Sequence, residues 1–109
     1  MDERIEIVIS TMKNRVNQDL TLDDLAVSVY LSRWRFSHLF KREVGIPPAH
    51  YLKSLKMIEA TRLLETSHLS IKQIILRLGI KDKSHFERDF KKKYGLTPSQ
   101  YRVASLRKH

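Results

Sequence analysis

Cysteine is absent from this chain of 109 residues, so it has neither a disulfide framework nor a thiolate metal site, which fits a reducing compartment. No apolar run exceeds three residues, as in Ile7-Val8-Ile9 and Ile74-Ile75-Leu76, which excludes a membrane-spanning helix and a signal peptide and predicts a cytoplasmic protein. Glycine and proline number three each, so the chain has few places to break. No glycine-rich phosphate cradle and no nucleophile elbow occurs. The histidines at 38, 50, 68, 85 and 109 lack zinc-ligand spacing, and carboxylate pairs fall only at helix starts and exposed positions. No catalytic residue, cofactor or metal is therefore expected, and an enzyme is the most distant reading.

Acidic residues are scarce in one part of the chain. Residues 1–31 hold three basic and six acidic side chains, whereas residues 32–109 hold eighteen and six, a net of +12. Positive charge concentrated in this way attracts a polyanion, because phosphate contacts release condensed counterions. A merely solubilising surface is the plain alternative. With 41% hydrophobic residues the chain has enough apolar content for a core.

What the chain does contain is a repeat. Phe36, Phe40-Lys41, Gly45, Pro48 and Tyr51 return as Phe86, Phe90-Lys91, Gly95, Pro98 and Tyr101, each at an offset of 50. Upstream, Leu20-Thr21-Leu22 and Leu25-Ala26 pair with Leu69-Ser70-Ile71 and Ile74-Ile75 at an offset of 49, so the copies differ by one residue in the turn between. A short amphipathic stretch, a turn and a second stretch with a basic outer face make a helix-turn-helix, here duplicated.

Periodicity and end signals predict an all-α chain of about seven helices. The first runs from about residue 2 to 16 and exits through Asn17-Gln18-Asp19. Thr21 caps the second, with Asp23 and Asp24 as partners of the helix dipole. Ser32 caps the third, which ends at Gly45. Pro48 opens the longest helix, to about Thr66, a rigid spacer of about 28 Å. Ser70 caps the fifth helix and Gly79 ends it. Asp82 or Ser84 caps the sixth, which reaches Tyr94, and Pro98 starts a short seventh before a frayed basic tail from Ser105 to His109. The organisation expected is a first helix-turn-helix subdomain over 1–47, a linking helix over 48–67 and a second subdomain over 68–109.

In the third helix Phe36, Leu39, Phe40 and Val44 form the inward stripe, which turns Arg33, Trp34, Ser37, His38, Lys41 and Arg42 outward. A recognition helix presents its first turns to base edges and its later turns to phosphates. Arg33 has the donors for guanine, Ser37 and His38 donate or accept at a base edge, and Trp34 packs on a thymine methyl or is buried between helices. Lys41 and Arg42 suit phosphates. The sixth helix repeats the pattern, with Phe86, Phe90 and Tyr94 inward and Lys83, Ser84, His85, Arg88, Lys91 and Lys92 outward. Arg88 is the strongest candidate for a guanine contact, unless it bridges Glu87 or Asp89. Those two carboxylates either repel phosphates or accept from cytosine.

Together these residues resemble the DNA-binding domain of the AraC/XylS family of bacterial transcription regulators, over roughly residues 5–103. In the second unit Ile71, Ile74, Gly79, Asp82, Ser84, Phe86, Phe90-Lys91, Gly95, Thr97-Pro98 and Tyr101-Arg102 fall on the family signature in order. Leu25-Ala26, Ser32, Phe36, Phe40-Lys41, Gly45 and Tyr51 resemble the first unit, and Ala60 with Leu63-Leu64 the linking helix. The resemblance implies two modules reading successive major grooves, with Trp34, Ser37, His38, Ser84, His85 and Arg88 at the positions that meet bases. Three departures stand out: Lys56 replaces the usual Arg, Ile75 the usual Ala and Ile80 the usual Phe. Ile75 enlarges a residue near a turn, so the second module is expected to pack differently or bind more weakly.

Recognition helices one DNA turn apart lie about 34 Å from each other, close to the spacer length, which predicts an asymmetric double-stranded site read by one chain and bent where the fit is imperfect. Affinity should fall steeply with salt. RNA polymerase is the expected protein partner. A separate effector-binding or dimerisation domain has no room in 109 residues, so the chain reads as a stand-alone regulator or an excised C-terminal domain. The competing class is a protein-interaction module that docks on RNA polymerase with only non-specific DNA affinity.

Overall fold

Six helices begin on a side chain that accepts from an otherwise unpaired backbone amide, and these caps set the element boundaries. The computed structural model describes residues 1–107 as seven helices: α1 (Glu3–Asn14), α2 (Leu22–Ser28), α3 (Arg33–Val44), α4 (Pro48–Thr66), α5 (Ile71–Arg77), α6 (Lys83–Tyr94) and α7 (Pro98–Arg107). Asp2, Thr21, Ser32, Ser70 and Asp82 cap α1, α2, α3, α5 and α6 through their side-chain oxygens. Each such bond is worth about 1 kcal/mol. Of the two candidates for α6, Asp82 is the cap, accepting from His85 N at 2.9 Å, and Ser84 is left inside the first turn. Thr97 and Gln100 bond reciprocally ahead of α7, as Ser70 and Gln73 do at α5.

α3 and α6 both end on a glycine in the left-handed region, Gly45 at φ 95° and Gly95 at φ 80°. The glycine amide bonds back to Lys41 O or Lys91 O, which closes the last turn where a Cβ would be strained.

The chain folds into two compact units, one from Met1 to Leu55 and one from Lys56 onward. In the first, Ile5, Val8 and Met12 of α1 meet Leu25 and Ala26 of α2, Phe36 and Phe40 of α3 and Leu52 of α4 in one buried cluster. In the second, Met57, Ala60, Leu63 and Leu64 of α4 meet Ile74 and Ile75 of α5 and Phe86 and Phe90 of α6. The boundary runs through α4, whose first turns complete the first core and whose later turns open the second. The residues expected to link therefore build cores, and the buried triads Ile5-Val8-Met12 and Met57-Ala60-Leu64 play equivalent parts at an offset of 52. Aromatic packing repeats as well. Phe40 meets Tyr51 edge-on at 5.6 Å, and Phe90 meets Tyr101 at the same distance.

The expected frayed tail is corrected in part: α7 continues through Ser105 to Arg107, and Ser105 is buried. Lys108 and His109 lie outside the described residues. Ile75, expected to disturb the second module, is fully accommodated in its core at 5% exposure, and its carbonyl accepts from Ile80 N at 3.1 Å.

Polar groups tie the second unit together. The half-buried Arg102 of α7 donates to the carbonyls of Leu64 at 3.1 Å and Leu69 at 2.6 Å, and reaches those of Leu63 and Ser67 at 3.4 Å. These are carbonyls in and just beyond the last turn of α4, where backbone acceptors outnumber the amides that follow them, although Leu63 O also accepts from Ser67 N at 3.0 Å. Lys56 donates from Nζ to Leu78 O at the end of α5, so the departure from Arg at this position still places a cation on a helix C-terminus.

Candidate nucleic-acid interface

Burying Phe36 and Phe40 on one side of α3 turns the opposite side of the helix outward. Arg33, Trp34, His38, Lys41 and Arg42 are exposed and Ser37 is half-buried. Trp34, whose sequence allowed a buried place, is 67% exposed. Its ring stacks on His38 with centroids 3.8 Å apart and planes 26° from parallel. His38 Nδ1 lies 2.8 Å from the backbone carbonyl of Trp34, so ring and backbone together hold the imidazole. Arg33 Nε sits 3.7 Å from Asp23 Oδ1 on α2, both side chains well exposed. Such a pair contributes at most about 1 kcal/mol and leaves Arg33 able to exchange partners.

One surface depression gathers Trp34, Arg35, His38, Leu39 and Arg42 of α3 with Leu31 of the turn and Arg4 of α1. Arg35 was absent from the outward set read from sequence, and Arg4 comes from the acidic part of the chain. Positions 35, 38 and 42 follow one line along a helix, a spacing that could have identified Arg35. Arg4 also donates to the Asp2 carboxylate through Nε and Nη2 at 3.2 and 3.0 Å, and its bonds hold the Asp2 carboxyl below its ordinary value.

α6 presents Lys83, Ser84, His85, Arg88, Lys91 and Lys92, all exposed. Two carboxylates are engaged along the same helix: Lys83 Nζ stands 4.0 Å from Glu87 Oε1, and His85 Nε2 stands 3.0 Å from Asp89 Oδ2. His85 is thus turned along its own helix, whereas among the described residues Arg88 enters no ion pair. Ser84, Glu87, Arg88, Lys91 and Thr97 line one shallow depression, which brings the Glu87 carboxylate into line with Ser84 and Arg88. At the offset of 50, Arg88 is the equivalent of His38 and Glu87 of Ser37.

Each unit therefore carries a helix with one buried aromatic face and one cationic face, with two adjacent basic residues in the last turn of α3 and three in that of α6, where the helix dipole also favours cations. Among the described residues no three His, Asp or Glu side chains gather as metal ligands would, and no helix is long and apolar enough to cross a membrane.

A family model described as a helix-turn-helix domain matches residues 25–104. The chain is 31% identical over 101 residues to an uncharacterized HTH-type transcriptional regulator of Haemophilus influenzae and 35% identical over 101 residues to the regulatory protein PocR of Salmonella typhimurium. It covers 93% of its own length in both alignments but only 34% and 33% of those proteins, about a third of each. The HTH-type transcriptional activator AarP of Providencia stuartii is 30% identical over 99 residues, which are 91% of this chain and 73% of AarP. Among solved structures, the DNA-binding domain of AdpA in complex with a target DNA superimposes with a TM-score of 0.86 at 26% identity, covering 94% of this chain and 93% of that one. The C-terminal domain of AraT, a response regulator of Geobacillus stearothermophilus, gives 0.85 at 31% identity, covering 94% and 86%.

Proposed function

The chain is a helix-turn-helix DNA-binding domain of the AraC/XylS family, and we propose that α3 and α6 are its recognition helices, reading double-stranded DNA within a bacterial transcription regulator. The observation that carries the reading is the repeated cationic face: Ser37, His38, Lys41 and Arg42 on one helix, and Ser84, Arg88, Lys91 and Lys92 on the other, stand opposite the buried phenylalanine pairs. Ser84 and Arg88 in the second unit, with Trp34, Ser37 and His38 in the first, are the base-reading candidates. Lys41, Arg42, Lys91 and Lys92 are the phosphate contacts. Arg33 and Lys83 begin the two helices, where a side chain reaches a base edge or the nearby backbone. His85, engaged with Asp89, serves the DNA through a phosphate if it turns outward.

The location is cytoplasmic in this reading, no catalysis is assigned, and RNA polymerase is the partner of the DNA-bound protein. Effector binding or dimerisation falls to regions outside the matched stretch in regulators built like the longer relatives.

Selection from random duplexes, followed by anisotropy titration at two salt concentrations, tests the reading. A selected sequence whose preference at one base pair relaxes by about 1 to 3 kcal/mol in Arg88→Ala supports it. Docking on RNA polymerase alone predicts instead unselective DNA binding and partner binding that survives loss of both Arg88 and His38.

A further inference from the structure

His38 combines three properties on the exposed face of α3: its ring is stacked on Trp34, its Nδ1 faces a carbonyl, and it lines a depression together with arginines. A carbonyl oxygen only accepts, so the 2.8 Å contact to Trp34 O requires the proton on Nδ1. In the neutral imidazole the other nitrogen then has a lone pair and no proton. Its neighbours in the depression are Arg4, Arg35 and Arg42, which are donors only, Trp34, whose indole nitrogen is a donor only, and two leucines. Nε2 of His38 is therefore the one side-chain acceptor among the described residues lining that surface.

Major-groove edges divide along the same line. Guanine offers two acceptors at N7 and O6, whereas adenine and cytosine each offer an exocyclic amino donor. Arginines match the first kind and phosphates, and a lone acceptor matches the second. Resting on the reading of α3 as a recognition helix, we propose that His38 is a specificity-determining residue that accepts a hydrogen bond from the exocyclic amino group of an adenine or cytosine, and that it does not read guanine. Trp34 is its positioning residue, holding the ring by stacking and by its backbone carbonyl. The sequence left both donor and acceptor roles open to His38, and its backbone bond closes one of them.

Base analogues separate the two chemistries. A selected duplex is titrated at pH 8 with the chain and with His38→Ala, whose solvent-facing side chain can be removed without disturbing the fold, as a thermal melt verifies. The base pair at which His38→Ala loses discrimination is then altered in two ways: the exocyclic amino group of its adenine or cytosine is deleted, or the purine N7 is replaced by carbon. The expected result is a loss of about tenfold for the chain on amino deletion, little change for His38→Ala, and little response of either to the N7 replacement. Sensitivity of the chain to N7 replacement, with tolerance of amino deletion, overturns the inference. Selective binding in which His38→Ala changes no position also overturns it, while leaving the DNA-reading function intact. Absence of any selective binding by the chain itself sinks that function and the inference together.

Discussion

Tyr30 and Gly79 hold the same left-handed backbone position in the two turns, at φ 60° and 66°. The bonds around them match: Tyr30 N donates to Val27 O and Leu31 N to Ala26 O, as Gly79 N does to Leu76 O and Ile80 N to Ile75 O. A glycine occupies this conformation without penalty, whereas a β-carbon meets the neighbouring backbone there. Tyr30 is also 96% exposed, so its ring recovers nothing by packing.

Tyr30→Gly is expected to stabilise the first unit by about 0.5 to 1 kcal/mol, the relief of strain exceeding the added freedom of the unfolded chain. Urea unfolding should show a higher midpoint at an unchanged slope. A lower midpoint would mean that the turn conformation costs Tyr30 nothing.

Arg102→Ala should destabilise the second unit by about 2 to 4 kcal/mol, because four carbonyls around the end of α4 lose a charged donor and the bond to Leu69 O is short. Arg102→Lys should recover only a fraction, since an ammonium cannot span the fork of acceptors that a guanidinium reaches. Amide exchange at the end of α4 reads both variants, and equal protection in all three proteins would contradict the bracing role.

Ile75→Ala is expected to cost about 2 to 4 kcal/mol by leaving a cavity beneath α5. If Ile75 instead crowds the turn, the smaller residue relieves strain and the sign reverses. Thermal unfolding decides between them.

Burial raises the Tyr94 phenol above its ordinary value, and burial together with Glu65 raises that of Tyr101. The folded chain thus keeps these protons to higher pH than the unfolded chain does. Their contribution is complete below about pH 10, the ordinary phenol value, and is lost as pH rises through the folded values. Melting temperature should fall above pH 10, and Tyr101→Phe should flatten that fall. An identical alkaline slope in wild type and variant would remove Tyr101 as a cause.

Local signals in the sequence carried most of the fold because caps, glycine ends and apolar periodicity all act within one or two turns. Ser32, Ser70, Gly45 and Pro48 each mark an element end from their own chemistry. The left-handed Tyr30 escaped notice since bulky residues avoid that region, and only the match to Gly79 betrays it. Arg102 was visible as part of a family signature, but its acceptors lie more than thirty residues away and leave no pattern near it. Periodicity likewise tells which side of α4 is buried without telling which core receives it. In the candidate interface most outward residues of α3 and α6 were legible from helical spacing, but Arg35 was passed over and Trp34 was left open between surface and core. The place of Arg4 beside them depends on how α1 packs against α3, and the proton on His38 Nδ1 depends on a rotamer.

Because the border between the two units falls inside α4, no segment of the chain serves only to connect them. Residues on either side of Leu55 share one uninterrupted ladder of helical hydrogen bonds, and melting either unit leaves the other with a raw helix end whose amides or carbonyls lack partners. A substitution that weakens one core is thereby felt as a loss of protection in the other half of the same helix.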